Sequence, residues 1–178
     1  AELALISEGW AHNVRISVGK DGKITDVERG VQPNPNDMKL LNRILLPAMS
    51  NLHSHSFQYS MAGLTEKRVK KQDSFWNWRK VMYRFLEKLD PEHVEAIAAL
   101  VFMKMLESGY ASVGEFHYLH HQKGGRPYEN VAETSSRIIA AALQTGIGLT
   151  HLPVFYMQGG LNGEKLSQGQ LRFGNNSE

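Results

Sequence analysis

His53 and His55 are the residues of this sequence best placed to do chemistry. Side chains of an extended segment alternate faces, so residues two apart point the same way and both can reach one metal ion. Neutral imidazole suits zinc, and a catalytic zinc site combines about three protein ligands with an open position for water. Two such ligands are therefore a beginning of a site and not a whole one. Read by themselves they are explained as well by two polar residues facing solvent after a strand. The sequence has no cysteine, so a metal would rest on its 8 histidines and its carboxylates, and no disulfide framework exists.

Three further histidines, His117, His120 and His121, crowd another strand end at a spacing that does not join the first pair. Loop histidines of this kind are expected to be solvated. His151 is expected to be a satisfied buried or rim residue. Lys67, Arg68, Lys70 and Lys71 form a basic run without interleaved aromatics, the pattern of a solvated loop rather than a nucleic-acid patch. Gly159 and Gly160 lack the strand-to-helix setting and the Lys-Ser/Thr of a phosphate loop. Trp76, Trp78, Phe85 and Leu86 read as helix packing.

The elements that must position these residues change character along the chain. Residues 1–43 read as a small β portion in which 13–18 and 24–27 alternate around a turn at 19–23, a β-hairpin. Residues 33–37 form a Pro- and Asn-rich loop. Residues 44–46 are an apolar run stopping at Pro47, expected as the buried strand that leads into the histidines. Over 44–178 strands alternate with helices. Asp90-Pro91-Glu92 is a helix start, Val94, Ile97, Ala98, Val101 and Met105 keep helical spacing, and Gly109 falls just past the end. A strand is expected over 111–118, a loop over 122–127, a helix with Ile138, Ile139, Ala142 and Leu143 on one face ending at Gly146, and a third strand over 147–154. Residues 159–178 read as loop. Helices between strands imply parallel pairing and an α/β fold. Three such steps make part of a closed eight-unit barrel, which takes about 250 residues.

With 178 residues, 42% hydrophobic and 21% charged, the chain has material for a real core. A formal net charge of +2 is too small to serve as a footprint for nucleic acid or an anionic membrane. No stretch approaches the roughly 18–20 apolar residues of a membrane span, and Ala1-Glu2-Leu3-Ala4 does not begin a secretory signal. The expectation is a soluble cytoplasmic protein.

The string Leu46-Pro47-Ala48-Met49-Ser50-Asn51-Leu52-His53-Ser54-His55, after a hairpin and a strand, resembles the amidohydrolase superfamily, whose first barrel strand carries its first two metal ligands. Asp73-Ser74-Phe75-Trp76-Asn77-Trp78-Arg79, Met82-Tyr83-Arg84-Phe85 and Glu115-Phe116-His117-Tyr118-Leu119-His120-His121 resemble, more narrowly, the formimidoylglutamate deiminases of histidine degradation. The resemblance runs from about residue 10 to the end. It implies the N-terminal part of a (β/α)8 amidohydrolase barrel preceded by a small β domain. It also implies zinc held by His53 and His55, and Gln58, Arg79 and Tyr118 as contacts to a small-molecule substrate. The implied reaction is metal-assisted hydrolysis of N-formimino-L-glutamate to N-formyl-L-glutamate and ammonia, with the remaining ligands and the acid/base residues expected beyond residue 178.

Such a substrate carries two carboxylates, and arginine offers a rigid fork that pairs with a carboxylate bidentately. Outside that resemblance Arg79 reads as an exposed helix residue beside Lys80, Gln58 as a surface amide, and Tyr118 as a core or rim tyrosine. Two alternatives stand beside the deiminase reading: another amidohydrolase acting on a nucleobase or triazine, and a non-catalytic structural fragment. A partial barrel leaves an open edge, so the one macromolecular partner expected is another copy, in a homo-oligomer.

Overall fold

The computed structural model describes residues 1–64 and 75–176. The basic run at 67–71, motif residues 65, 66, 73 and 74, and the side chain of Trp76 lie outside the described residues. The chain divides into two compact units, residues 1–48 and 49–178.

In the first unit β1 (Leu3–Ile6) pairs antiparallel with β2 (Gly9–His12), and β3 (Arg15–Val18) pairs antiparallel with β4 (Ile24–Glu28), the hairpin expected from the alternation. Arg15 fastens the loop that follows, reaching Glu28 Oε2 at 2.9 Å, Asp37 Oδ2 at 3.0 Å and the Gln32 carbonyl at 2.7 Å. The apolar run at 44–46 does not continue into the histidines. It forms β5 (Ile44–Leu45), parallel to β1, with Ile44 58% exposed. Pro47 has no N–H to give a ladder, so pairing stops there and a new strand begins at Met49.

The second unit is a three-stranded parallel sheet in the order β6 (Met49–Ser54), β7 (Tyr110–His117), β8 (Gly148–Pro153). Between the strands run α1 (Phe75–Leu86), α2 (Pro91–Glu107) and α3 (Glu133–Thr145). This is the strand-helix alternation of a (β/α)8 barrel, in part. Gly109 and Gly146, at φ 88° and 80°, take the left-handed turns that end α2 and α3. The core lies between the helices and one face of the sheet, where Val94, Ala98, Phe102, Val113, Leu119 and Ile138 are buried.

Two expectations need correction. The buried face of α3 is Ile138, Ala141 and Ala142, while Leu143 is 80% exposed and Ile139 43%; these two belong to the adjoining stripe, about 100° round the helix. The tail is not plain loop. Residues Gln168–Phe173 form a 3-10 helix that buries Gln170, Arg172 and Phe173. Six residues are too few to show an apolar period, and a buried arginine reads from sequence as a surface one. Among the described residues no helix is long and apolar enough to cross a membrane.

One irregularity decides where the histidines point. Asn51 is paired with Val113 and Ser54 with Glu115, so β6 spends three residues where β7 spends two. An extra residue inverts the alternation beyond it. Asn51 faces the helices, its Nδ2 donating to Met105 Sδ of α2 at 3.6 Å. After the irregularity Ser54 takes the helix side and is buried, while the His53 ring lies 4.4 Å from that of Phe116 on the opposite face of the sheet.

Candidate metal and substrate site

β6 ends at Ser54 and a 3-10 turn occupies Ser56–Met61, so His53 sits on the strand and His55 in the joint. Their Nε2 atoms converge to 3.0 Å, with the rings edge to face. Two nitrogens bound at about 2.0–2.1 Å to one tetrahedral zinc lie roughly 3.3 Å apart, close to the spacing found. The Nδ1–H of His55 donates to the Phe116 carbonyl at 2.8 Å. That bond fixes the tautomer and leaves the Nε2 lone pair facing His53. The pair fits a zinc-like cation as two of its ligands. Among the described residues no group of three or more His, Asp or Glu converges, so further ligands are not assigned within them.

Gln58 and Tyr118 meet beside the histidines. Gln58 Nε2 donates to the Tyr118 hydroxyl at 2.6 Å, and the Tyr118 ring stands edge-on to those of His55 and Phe57. Burial pushes the Tyr118 phenol up to about 12, against the opposing effect of the Gln58 bond, so the group is a neutral hydroxyl at physiological pH. A cavity of about 460 Å³ opens here, lined among others by His55, Gln58, Tyr59, Trp78 and Met105.

α1 supplies the remaining wall. Trp78 faces the cavity as well as packing the helix, and Met82 Sδ lies 4.0 Å from the Tyr118 hydroxyl. Arg79 donates from Nε to the Tyr83 hydroxyl, with its guanidinium 5.3 Å from that ring. Tyr83 packs on Phe173, which in turn packs on Tyr118. Thus His53, His55, Gln58 and Tyr118 are in direct contact, and Arg79 is linked to them through Tyr83 and Phe173.

The three histidines at the end of β7 are built in rather than solvated. Thr134 spends its hydroxyl hydrogen on the Leu119 carbonyl at 2.6 Å, so at 3.1 Å it must accept from His117 Nε2–H. Burial, with His151 and His120 nearby, lowers the His117 pKa to about 3 and keeps the ring neutral. His120 and His121 donate to the carbonyls of Val154 and Gly174. His151 departs from expectation in the other direction: both its ring nitrogens are buried without a partner among the described residues.

Two residues without an assigned role touch the site. Ser56 donates from its backbone N at 2.6 Å and from its hydroxyl at 2.7 Å to the same oxygen, Oε1 of Glu115. The sequence does carry a signal for this: Glu115 falls between Val113 and His117 in the alternation, an acidic residue on the buried face.

Residues 1–39 match the family described as formimidoylglutamate deiminase HutF, N-terminal domain, and residues 44–159 match the amidohydrolase family. The whole chain is 48% identical to a formimidoylglutamate deiminase of Pseudomonas aeruginosa and spans 39% of that protein's length. Among solved structures, an amidohydrolase from Brucella melitensis superposes with a TM-score of 0.88 at 47% identity, over 98% of this chain and 38% of the other. The fold extends to more distant proteins. Atrazine chlorohydrolase TrzN of Arthrobacter aurescens, complexed with zinc, superposes at 0.59 with 15% identity over 84% of this chain and 33% of its own. A guanine deaminase from C. acetobutylicum superposes at 0.60 with 17% identity over 92% and 37%.

Proposed function

The chain belongs to the amidohydrolase family, and on that premise we propose that it forms the first metal-binding strands of a zinc-dependent formimidoylglutamate deiminase. The reaction is hydrolysis of N-formimino-L-glutamate to N-formyl-L-glutamate and ammonia, in cytoplasmic histidine degradation. The observation that carries this reading is the convergence of the His53 and His55 Nε2 atoms beside the Gln58–Tyr118 pair. It gains weight from 48% identity along the whole chain to a protein of that activity.

Zinc, held in part by His53 and His55, supplies Lewis acidity and an activated water when bound. The chain's own residues bind and orient. The Phe116 carbonyl keeps the His55 ring turned so that Nε2 faces His53. Gln58 spends one N–H on Tyr118 and keeps its carbonyl oxygen to accept from a formimino N–H. Tyr118, accepting from Gln58 and donating only to the weak acceptor Met82 Sδ, can turn its proton to a substrate oxygen. Arg79, whose Nε donates to Tyr83, is the guanidinium that would pair with a substrate carboxylate. Trp78 lines the cavity and excludes water from this side. No acid/base residue is assigned within the chain.

The test is ammonia release from N-formimino-L-glutamate by the full-length protein, with bound zinc quantified in the same preparation. Turnover that is lost in both His53→Ala and His55→Ala supports the reading. Ammonia release from guanine or a triazine, with none from N-formimino-L-glutamate, overturns the substrate.

A further inference from the structure

Glu115 and Ser56 are 1% and 2% exposed, and Ser56 follows His55 directly in the chain. We propose that Glu115 is a positioning residue of the metal centre, acting through Ser56 to hold His55 in the orientation its metal-facing nitrogen needs. This inference rests on the assignment of His53 and His55 as metal ligands.

Two successive residues of β7 grip two successive residues of the joint after β6. The Glu115 side chain takes both donors of Ser56, and the Phe116 carbonyl takes the ring N–H of His55. The peptide linking His55 to Ser56 is thereby held at both ends. The irregularity in β6 makes this grip possible: the extra residue brings Ser54 opposite Glu115 and turns His53 to the face where Phe116 lies. Without the carboxylate, the Ser56 amide would be one of the unpaired donors of a starting helical turn, and buried.

A bland reading is that Glu115 only satisfies that amide. The neighbouring bond speaks against this, because the next residue of β7, Phe116, holds the His55 ring through its carbonyl, so the two grips act on one peptide. A rigid acceptor for two donors beside a ligand is what an outer shell of a metal site requires.

The experiment measures zinc affinity by chelator competition, and the visible absorption of the cobalt(II)-substituted form, in the full-length protein. Glu115→Leu is expected to weaken zinc binding by about 10- to 100-fold and to move the cobalt bands. Glu115→Gln keeps an oxygen for both Ser56 donors and is expected to retain affinity and spectrum. A folded Glu115→Leu protein with unchanged zinc affinity and unchanged cobalt spectrum overturns the proposal. So does Glu115→Gln failing as badly as Glu115→Leu, because the oxygen would then not be what matters. Should Glu115→Leu not fold, Ser56→Ala takes its place. It removes only the hydroxyl bond, should weaken zinc by roughly 10-fold, the lower end of that range, and overturns the proposal if zinc binding is unaltered. Neither readout uses formiminoglutamate, so failure of the substrate assignment leaves the result standing. Failure of the wild type to bind zinc removes the metal assignment and this inference with it.

Discussion

Gln58 donates to the hydroxyl of Tyr118 at 2.6 Å, joining the turn after β6 to the residue that follows β7. The bond orders two groups that both lie against His55 or its turn. Tyr118→Phe leaves the Gln58 N–H without its acceptor and removes the hydroxyl that stands beside it. On the proposed function, the expected outcome in the full-length protein is a stability loss of about 1 kcal/mol and a KM for N-formimino-L-glutamate raised roughly tenfold, with a smaller fall in kcat. Steady-state kinetics on the folded variant check this, and a KM equal to that of the wild type would remove Tyr118 from the substrate site.

The buried ring of His117 makes stability depend on acid. Its pKa is lowered from 6.5 to about 3, so between those values the unfolded chain binds a proton that the folded chain refuses. The stability tied to this group is complete above pH 6.5 and is lost as pH falls toward about 3, at up to about 1.4 kcal/mol per pH unit. His120 and His151, also lowered by burial, add to the same slope. Urea unfolding at stepped pH between 7 and 4 reads it, and His117→Gln, which can still donate to Thr134, should flatten the dependence.

What could be read from the sequence is what is local. Asp90-Pro91, Gly109 and Gly146 mark helix ends by the backbone they permit, and α2 and α3 start and stop there. The shared direction of His53 and His55 follows from their spacing. Their actual face does not, because the extra residue in β6 is defined by pairing with β7 and leaves no mark in β6 itself. The Glu115 contact to Ser56 spans 59 residues. Arg172 reads as a surface cation until carbonyls 51, 83 and 86 residues away close around it.

That arginine is a further point of test. Arg172 is 1% exposed and donates to the carbonyls of Leu86 and Leu89, at and beyond the C-terminal end of α1, and to His121. The end of a helix leaves carbonyls unpaired and favours a cation. Arg172→Met keeps much of the stem and loses every one of these bonds, at an expected cost of about 2–4 kcal/mol. A thermal melt followed by circular dichroism measures it. A midpoint within error of the wild type would mean that water replaces the guanidinium without loss.

The sharpest test of how the histidines are aimed lies on the neighbouring strand, at Gly114. A Cβ there would come 3.1 Å from the Leu52 carbonyl oxygen and 3.4 Å from its carbon, against backbone rather than a movable side chain. Leu52 is inside the irregular stretch of β6, between Asn51 and Ser54. Gly114→Ala therefore presses on the segment that turns His53 toward His55. Overpacking of this kind costs about 1–3 kcal/mol, and the displacement should fall on the metal site as well as on stability. Zinc affinity is expected to drop along with the melting temperature. The comparison is Gly146→Ala, where a Cβ meets nothing within 4 Å but φ is 80°. That variant should lose comparable stability through backbone strain and keep its zinc affinity. If both variants lose metal in proportion to stability, the β6 irregularity is not what aims the histidines.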